Sequence, residues 1–282
     1  MIKVENVSFS YTKAPFISNI SFQVEPGEIF GFLGPSGAGK STLQKILIGM
    51  LTSYNGSVKV NGLEVKNHDN SFYETIGVDF EFPSLYEKLT ARQNLNFFSS
   101  LYSGEKRNIE ELLSKVGLLS DAEKRVSDFS KGMKSRLNFI KSIVHNPSIL
   151  FLDEPTSGLD PTNSSLLKDM ILAEKASGKT IILTTHNMED AAKLCDRVVF
   201  IVDGSMKAMD TPHNLIMRKG AGLLKYSYQK DGIEYVSECP LNATHKDETL
   251  LSLIHSNQLL TIHSQEQTLG DVFMEITGRK LS

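Results

Sequence analysis

Residues 34–42, GPSGAGKST, have the types and spacing to hold a phosphate. Gly34, Gly39, Lys40 and Ser41 fit the pattern G-x-x-x-x-G-K-[ST]. Between the two glycines, Pro35, Ser36, Gly37 and Ala38 make a loop that can turn its backbone N–H groups inward around an anion. A helix starting after the loop adds its N-terminal dipole. Lys40 would reach the β and γ phosphates of a nucleotide, the Ser41 hydroxyl would bind Mg²⁺, and Thr42 is a further phosphate contact. The bland reading is a glycine-rich turn that only caps a helix.

A second chemical cluster stands far along the chain. ILFLDEP, 149–155, puts Asp153 and Glu154 at the carboxyl end of an apolar strand, where open α/β sheets bind ligands. Neighbouring carboxylates on a strand point to opposite faces unless the backbone turns, so they can do different jobs. Asp153 is the candidate for Mg²⁺, through water, and Glu154 could polarise an attacking water. Solvation of a strand end is the alternative, weakened by the phosphate loop upstream.

The elements needed to position these groups are legible in the pattern. Residues 2–9 alternate as a strand, 22–24 look extended, and IFGFL at 29–33 reads as a short buried strand leading into the loop. Leu43, Ile46, Leu47 and Met50 follow at helical spacing. Residues 56–65 suggest two strands around an Asn61-Gly62 turn. Thr90 and Gln93 can form a capping box, 109–116 are amphipathic, and Ser130 can cap a helix carrying Met133, Leu137, Ile140 and Val144. Asp160 and Pro161 open another helix, and 181–183 and 198–202 are further short strands, the last closed by Asp203-Gly204. Buried strands alternating with helices predict an α/β core with parallel strands. After Pro212 the texture changes. A hairpin over 223–238, helices over 246–254 and 268–277 and an extended 259–262 predict a small α+β appendage.

Composition narrows the class. The chain has 282 residues, 40% hydrophobic and 22% charged, with a net charge of -3. That allows one large domain with a small partner, and nothing in the balance suggests a nucleic-acid binder. Two distant cysteines, Cys195 and Cys239, fit a reduced, cytosolic setting. MIKVENVSFSY does not read as a signal peptide, and no segment approaches the roughly 20 apolar residues that span a bilayer. Membrane work would need another chain to do the spanning.

In order, the sequence holds the phosphate loop, FSKGM at 129–133, LDEP, SGLD at 157–160 and TTH at 184–186. This order resembles the nucleotide-binding subunit of ABC transporters over at least residues 1–212, and more narrowly the ATPase subunits of two-component exporters, including drug and antibiotic efflux systems. LGDVFMEITGR at 269–279 also looks like the tail of that subgroup. The resemblance implies a P-loop NTPase core with antiparallel β and helical subdomains, the ATP-binding domain covering 1–212 and the helical part about 84–146, followed by an accessory domain at 213–282.

The resemblance also assigns roles. FSKGM occupies the signature position. Two copies would face head to tail, and Ser130 and Gly132 would contact the γ-phosphate of an ATP held by the other copy's phosphate loop. Phe129, Lys131 and Met133 replace the commonest leucine, glycine and glutamine; Lys131 is open to two readings, an ATP-attracting charge or a solvated lysine. Tyr11 matches the aromatic that stacks on adenine. Glu81 falls where many relatives have a glutamine near Mg²⁺ and the water. Asp160 matches the loop that crosses the dimer, and His186 the switch histidine, which with Glu154 forms the catalytic pair. The implied partners are a separate transmembrane permease, contacted near Phe82–Ser100, and a second ATPase subunit, on the inner face of the cell membrane. A soluble or regulatory ABC-type ATPase not coupled to transport is the alternative.

Overall fold

A computed structural model of the chain describes residues 1–217, 222–265 and 267–279. Strands β1 (Ile2–Phe9), β2 (Ile17–Val24) and β3 (Ile29–Leu33) precede helix α1 (Lys40–Leu47). The hairpin of β4 (Asn55–Val60) and β5 (Leu63–Glu64) leads to α2 (Asn70–Thr75) and β6 (Ile76–Asp79). Three helices follow, α3 (Ala91–Ser100), α4 (Ile109–Lys115) and α5 (Lys131–Ile143). Then come β7 (Ile149–Asp153), α6 (Pro161–Ala176), β8 (Thr180–Thr185), α7 (Met188–Leu194), β9 (Arg197–Val202), β10 (Ser205–Asp210) and α8 (Pro212–Met217). The last elements are β11 (Leu223–Lys230), β12 (Ile233–Pro240), α9 (Glu248–His255), β13 (Leu259–Gln265) and α10 (Leu269–Thr277).

The central sheet has the order β10-β9-β3-β8-β7-β6 and is parallel except for β10 at one edge. Its middle strands β3, β7 and β8 are buried along their whole length because both faces are covered. On one face Ile29, Leu33, Leu150, Leu152 and Leu183 pack among the helices. On the other, Phe30, Phe32, Phe151 and Ile201 meet α1 and the antiparallel sheet β2-β1-β4-β5. That alternation explains why these strands read as continuous apolar runs. The parallel topology brings the carboxyl ends of β3, β7 and β8 to one rim, which is where the candidate site lies.

Most expected elements form where the pattern put them. The Thr90–Gln93 capping box is present, Ser130 caps α5 by accepting from Met133 N at 3.2 Å, and Asp160 caps α6 with Pro161 in the first turn. Three features differ. β2 is longer than expected, and β6 and β10 carry no strong strand pattern of their own: IGVD is four residues with a glycine, and SMKAMD is a half-covered edge. They become strands because a buried neighbour offers its free hydrogen-bonding edge.

The C-terminal sheet β12-β11-β13 and α9 have a small core of Leu224, Tyr226, Cys239, Leu250 and Leu253. The tail helix does not join it. Leu269, Val272 and Phe273 of α10 enter the main core, where the Phe273 ring meets Phe200 edge-on at 5.1 Å. Arg279 follows with a paired contact to Asp203, at 3.0 and 2.8 Å. The accessory unit expected at 213–282 also includes 218–221, 266 and 280–282, which lie outside the described residues.

Candidate functional site

The loop after β3 is shaped by contacts that exclude side chains. A Cβ on Gly34 would collide with the Ile201 carbonyl, and Gly39 has φ 107°, a conformation glycine adopts without strain. The Lys40 ammonium curls back over the loop, donating to Gly34 O at 2.7 Å and Pro35 O at 3.1 Å. It is 7% exposed. Burial pushes its pKa down, and Glu154, Asp153 and Glu81 oppose that by favouring the charged form. The ammonium therefore sits between a loop built for anions and three carboxylates.

The ends of β7 and β8 complete the site. Ser41 Oγ donates to Asp153 Oδ1 at 3.2 Å, and the Thr184 hydroxyl donates to the same oxygen. Glu154 leaves the strand with φ 50°, a left-handed turn that breaks the alternation of the strand. The two acids consequently have separate neighbours. Glu154 Oε2 accepts from Thr185 Oγ1 at 3.3 Å, and its Oε1 lies 2.9 Å from His186 Nδ1 and 3.9 Å from Lys40 Nζ. Ser36, Gly37, Gly39, Lys40, Ser41 and Thr42 on one side, and Glu81, Glu154 and His186 on the other, enclose a cleft of about 290 Å³.

The sequence matches the ABC transporter family over residues 17–157. The fluoroquinolones export ATP-binding protein of Mycobacterium tuberculosis is 46% identical over 100% of this chain and 95% of its own. The chain belongs to the ABC transporter family. It is the ATP-binding and ATP-hydrolysing subunit of such a transporter. The Nod factor export ATP-binding protein I of Rhizobium meliloti is 36% identical, over 99% of this chain and 89% of its own. A solved ATP-binding subunit of an ABC transporter superposes with a TM-score of 0.71 at 29% identity, covering 77% of this chain and 92% of that one.

Within this ABC subunit the expected site residues fall into two groups. Gly34–Thr42, Glu81, Asp153, Glu154 and His186 converge on the phosphate cleft or its floor. Tyr11 stands beside it, 55% exposed, its hydroxyl 3.1 Å from Thr42 Oγ1. Ser130, Gly132 and Asp160 are elsewhere. Ser130 heads α5, Gly132 is packed so that a Cβ would touch the Asn163 amide, and Asp160 Oδ1 accepts from Thr162 N and Asn163 N at 3.1 and 3.0 Å. Hydrogen bonds from Asn163 hold the Asp160 carboxyl below its usual range. The Lys131 amine lies against Gly158, so FSKGM and SGLD are neighbours within one chain.

Phe16 escaped the sequence reading, and Thr184 and Thr185 entered it only as letters of TTH, with no role. Phe16 lines the cleft, its ring 5.4 Å from that of Tyr11. As a lone aromatic in KAPF it carries no periodic signal. Thr184 and Thr185 hydrogen-bond the two carboxylates, which two threonines in an apolar strand end could have suggested.

Proposed function

We propose that the chain hydrolyses Mg-ATP in a head-to-tail pair of copies and so drives export through a separate membrane permease. The supporting observation is the shared carboxylate oxygen of Glu154, 2.9 Å from His186 and 3.9 Å from the phosphate-loop lysine. Glu154 acts as the general base for water, and Lys40 and His186 stabilise the charge that develops on the γ-phosphate. A neutral imidazole has one N–H, so His186 can donate to Glu154 and to a phosphate at once only as the protonated ring. Ser130 and Gly132 of the second copy close the site, with the N-terminus of α5 toward the phosphate. Tyr11 carries the adenine, and Asp160 links the two sites.

The oxygen donors present suit Mg²⁺. Among the described residues no group of three or more His, Cys, Asp or Glu could hold a metal alone. Ser41 and Asp153, with Glu81 across the cleft, would hold the ion together with the nucleotide phosphates, whose charge it neutralises when bound. No described helix is long and apolar enough to cross a membrane. Phe82, 79% exposed, and the ring cluster of Tyr86, Phe97 and Phe98 offer a surface for a permease, which would keep the chain at the inner face of the membrane. Export is the activity in the names of the two relatives described above.

The test is the mass of Glu154→Gln in solution with Mg-ATP and with Mg-ADP. A dimer with ATP only, abolished by a second change, Ser130→Arg, supports the sandwich. A dimer indifferent to nucleotide and to residue 130 would leave FSKGM as a helix cap and nothing more.

A further inference from the structure

Helix α5 presents Lys134, Asn138 and Lys141 at spacings of four and three residues, hence on one face. All three reach the segment that carries Glu81. Lys134 Nζ pairs with Glu87 at 2.7 Å and Lys141 Nζ donates to Ser84 O at 3.3 Å. Between them the Asn138 amide donates to the Asp79 carboxyl and to Phe80 O at 3.3 Å. Asn138 is 1% exposed and Asp79 4%. The arrangement is an expensive way to fill space. Asn138 Oδ1 has no hydrogen-bond partner among the described residues, and a buried polar atom left unpaired is destabilising. An apolar pair would pack at least as well there.

We propose that Asn138 and Asp79 are positioning residues that clamp α5, and with it the FSKGM loop, to the Glu81 segment. The two parts then move as one body when nucleotide is bound. The proposal rests on the reading above, in which Glu81 and Ser130 serve opposite ends of the ATP sites. A plain packing role predicts stability effects alone; a clamp predicts a loss of turnover that survives the repair of stability.

The experiment is the double variant Asp79→Leu/Asn138→Leu of the full chain. Removing both partners leaves neither of the pair orphaned and costs only the long contact to Phe80 O and the attraction between Lys141 and Asp79, so the thermal melt falls modestly, turnover is read well below it, and affinity for a fluorescent ATP analogue stays within about twofold. ATP turnover falls about tenfold or more, because small misplacements of a closing group are costly. Parental turnover in the double variant overturns the proposal. If that protein does not fold, hydrogen exchange of the parent takes its place. Hydrogen exchange reads the clamp without turnover, since residues 79–89 and α5 open together in the parent and separately once the pair is gone; separate opening in the parent also overturns it. A parent that neither binds nor hydrolyses ATP is a different failure, that of the site assignment itself.

Discussion

His186 Nδ1 lies 2.9 Å from Glu154 Oε1, and Glu154 holds that position from a left-handed backbone conformation at φ 50°. The contact ties the end of β7 to the residue that follows β8. It gives the histidine a defined partner and the carboxylate a defined direction.

Glu154→Gln should therefore lose about 10²-fold or more in turnover, the usual loss for the general base proposed above. Nucleotide binding should persist, because the loop contacts of Lys40 are to Gly34 O and Pro35 O rather than to residue 154 alone. His186→Ala should lose about tenfold or more with the same split. Steady-state kinetics together with equilibrium nucleotide binding check both. A rise in KM with unchanged kcat would assign these residues to binding instead.

One pair of variants separates the helix cap of Ser130 from the phosphate contact proposed for it. Its side chain caps α5, accepting from Met133 N. Ser130→Ala should cost about 1 kcal/mol of stability and also turnover. Ser130→Asp should restore the stability, since aspartate caps a helix as well as serine does. It should not restore turnover, because a carboxylate facing a γ-phosphate repels it. Denaturant midpoints and ATPase rates measured on the same samples decide the matter.

Phe273 is fully buried against Phe200, although it lies beyond the small C-terminal sheet in sequence. Phe273→Ala should cost about 3–5 kcal/mol in the unfolding of the ATPase core. A substitution inside the small core, Leu253→Ala, should leave that transition near its parental midpoint. Chemical denaturation followed by nucleotide binding distinguishes the two.

Burial pushes the Asp79 carboxyl up to about 7, with Lys141 and the Asn138 amide pulling the other way. A raised carboxylate pKa means that the folded protein favours the neutral acid. Its contribution is fully present below the unfolded pKa, near 3.9, and is lost as the pH rises through about 7. Stability should fall over that interval and then level off. Asp79→Asn should flatten this part of the profile, and thermal melts at half-unit pH steps would show it.

The placement of the candidate site was legible where backbone and side chain are specified locally. The glycines, Lys40 and Ser41 sit within eight consecutive residues, and Asp153-Glu154 ends an unmistakable buried strand. The motif order through Ser130, Asp160 and His186 gave the family, which the match over residues 17–157 supports. What stayed hidden depends on distant partners. Asn138 means nothing until Asp79, fifty-nine residues earlier, is seen beside it. β6 looks like a loop until β7 lends it an edge. The tail helix was read correctly as a helix, but its destination was set by the apolar surface left by α7, α8 and β9, which no local pattern in 269–277 encodes.

The turn between β9 and β10 has one more consequence. Gly204 N donates to Ala38 O at 3.0 Å, Gly204 O accepts from Ser18 N at 2.9 Å, and a side chain at 204 would strike the Phe16 carbonyl. One hairpin tip thus staples the phosphate cradle to the segment bearing Phe16. The cradle is shaped by the chain's own contacts, so a ligand entering it has little backbone to organise. Affinity here is a matter of how few degrees of freedom remain to be frozen, and loosening the tip at Asp203-Gly204 would appear as an entropic penalty in calorimetry even though neither residue lines the cleft.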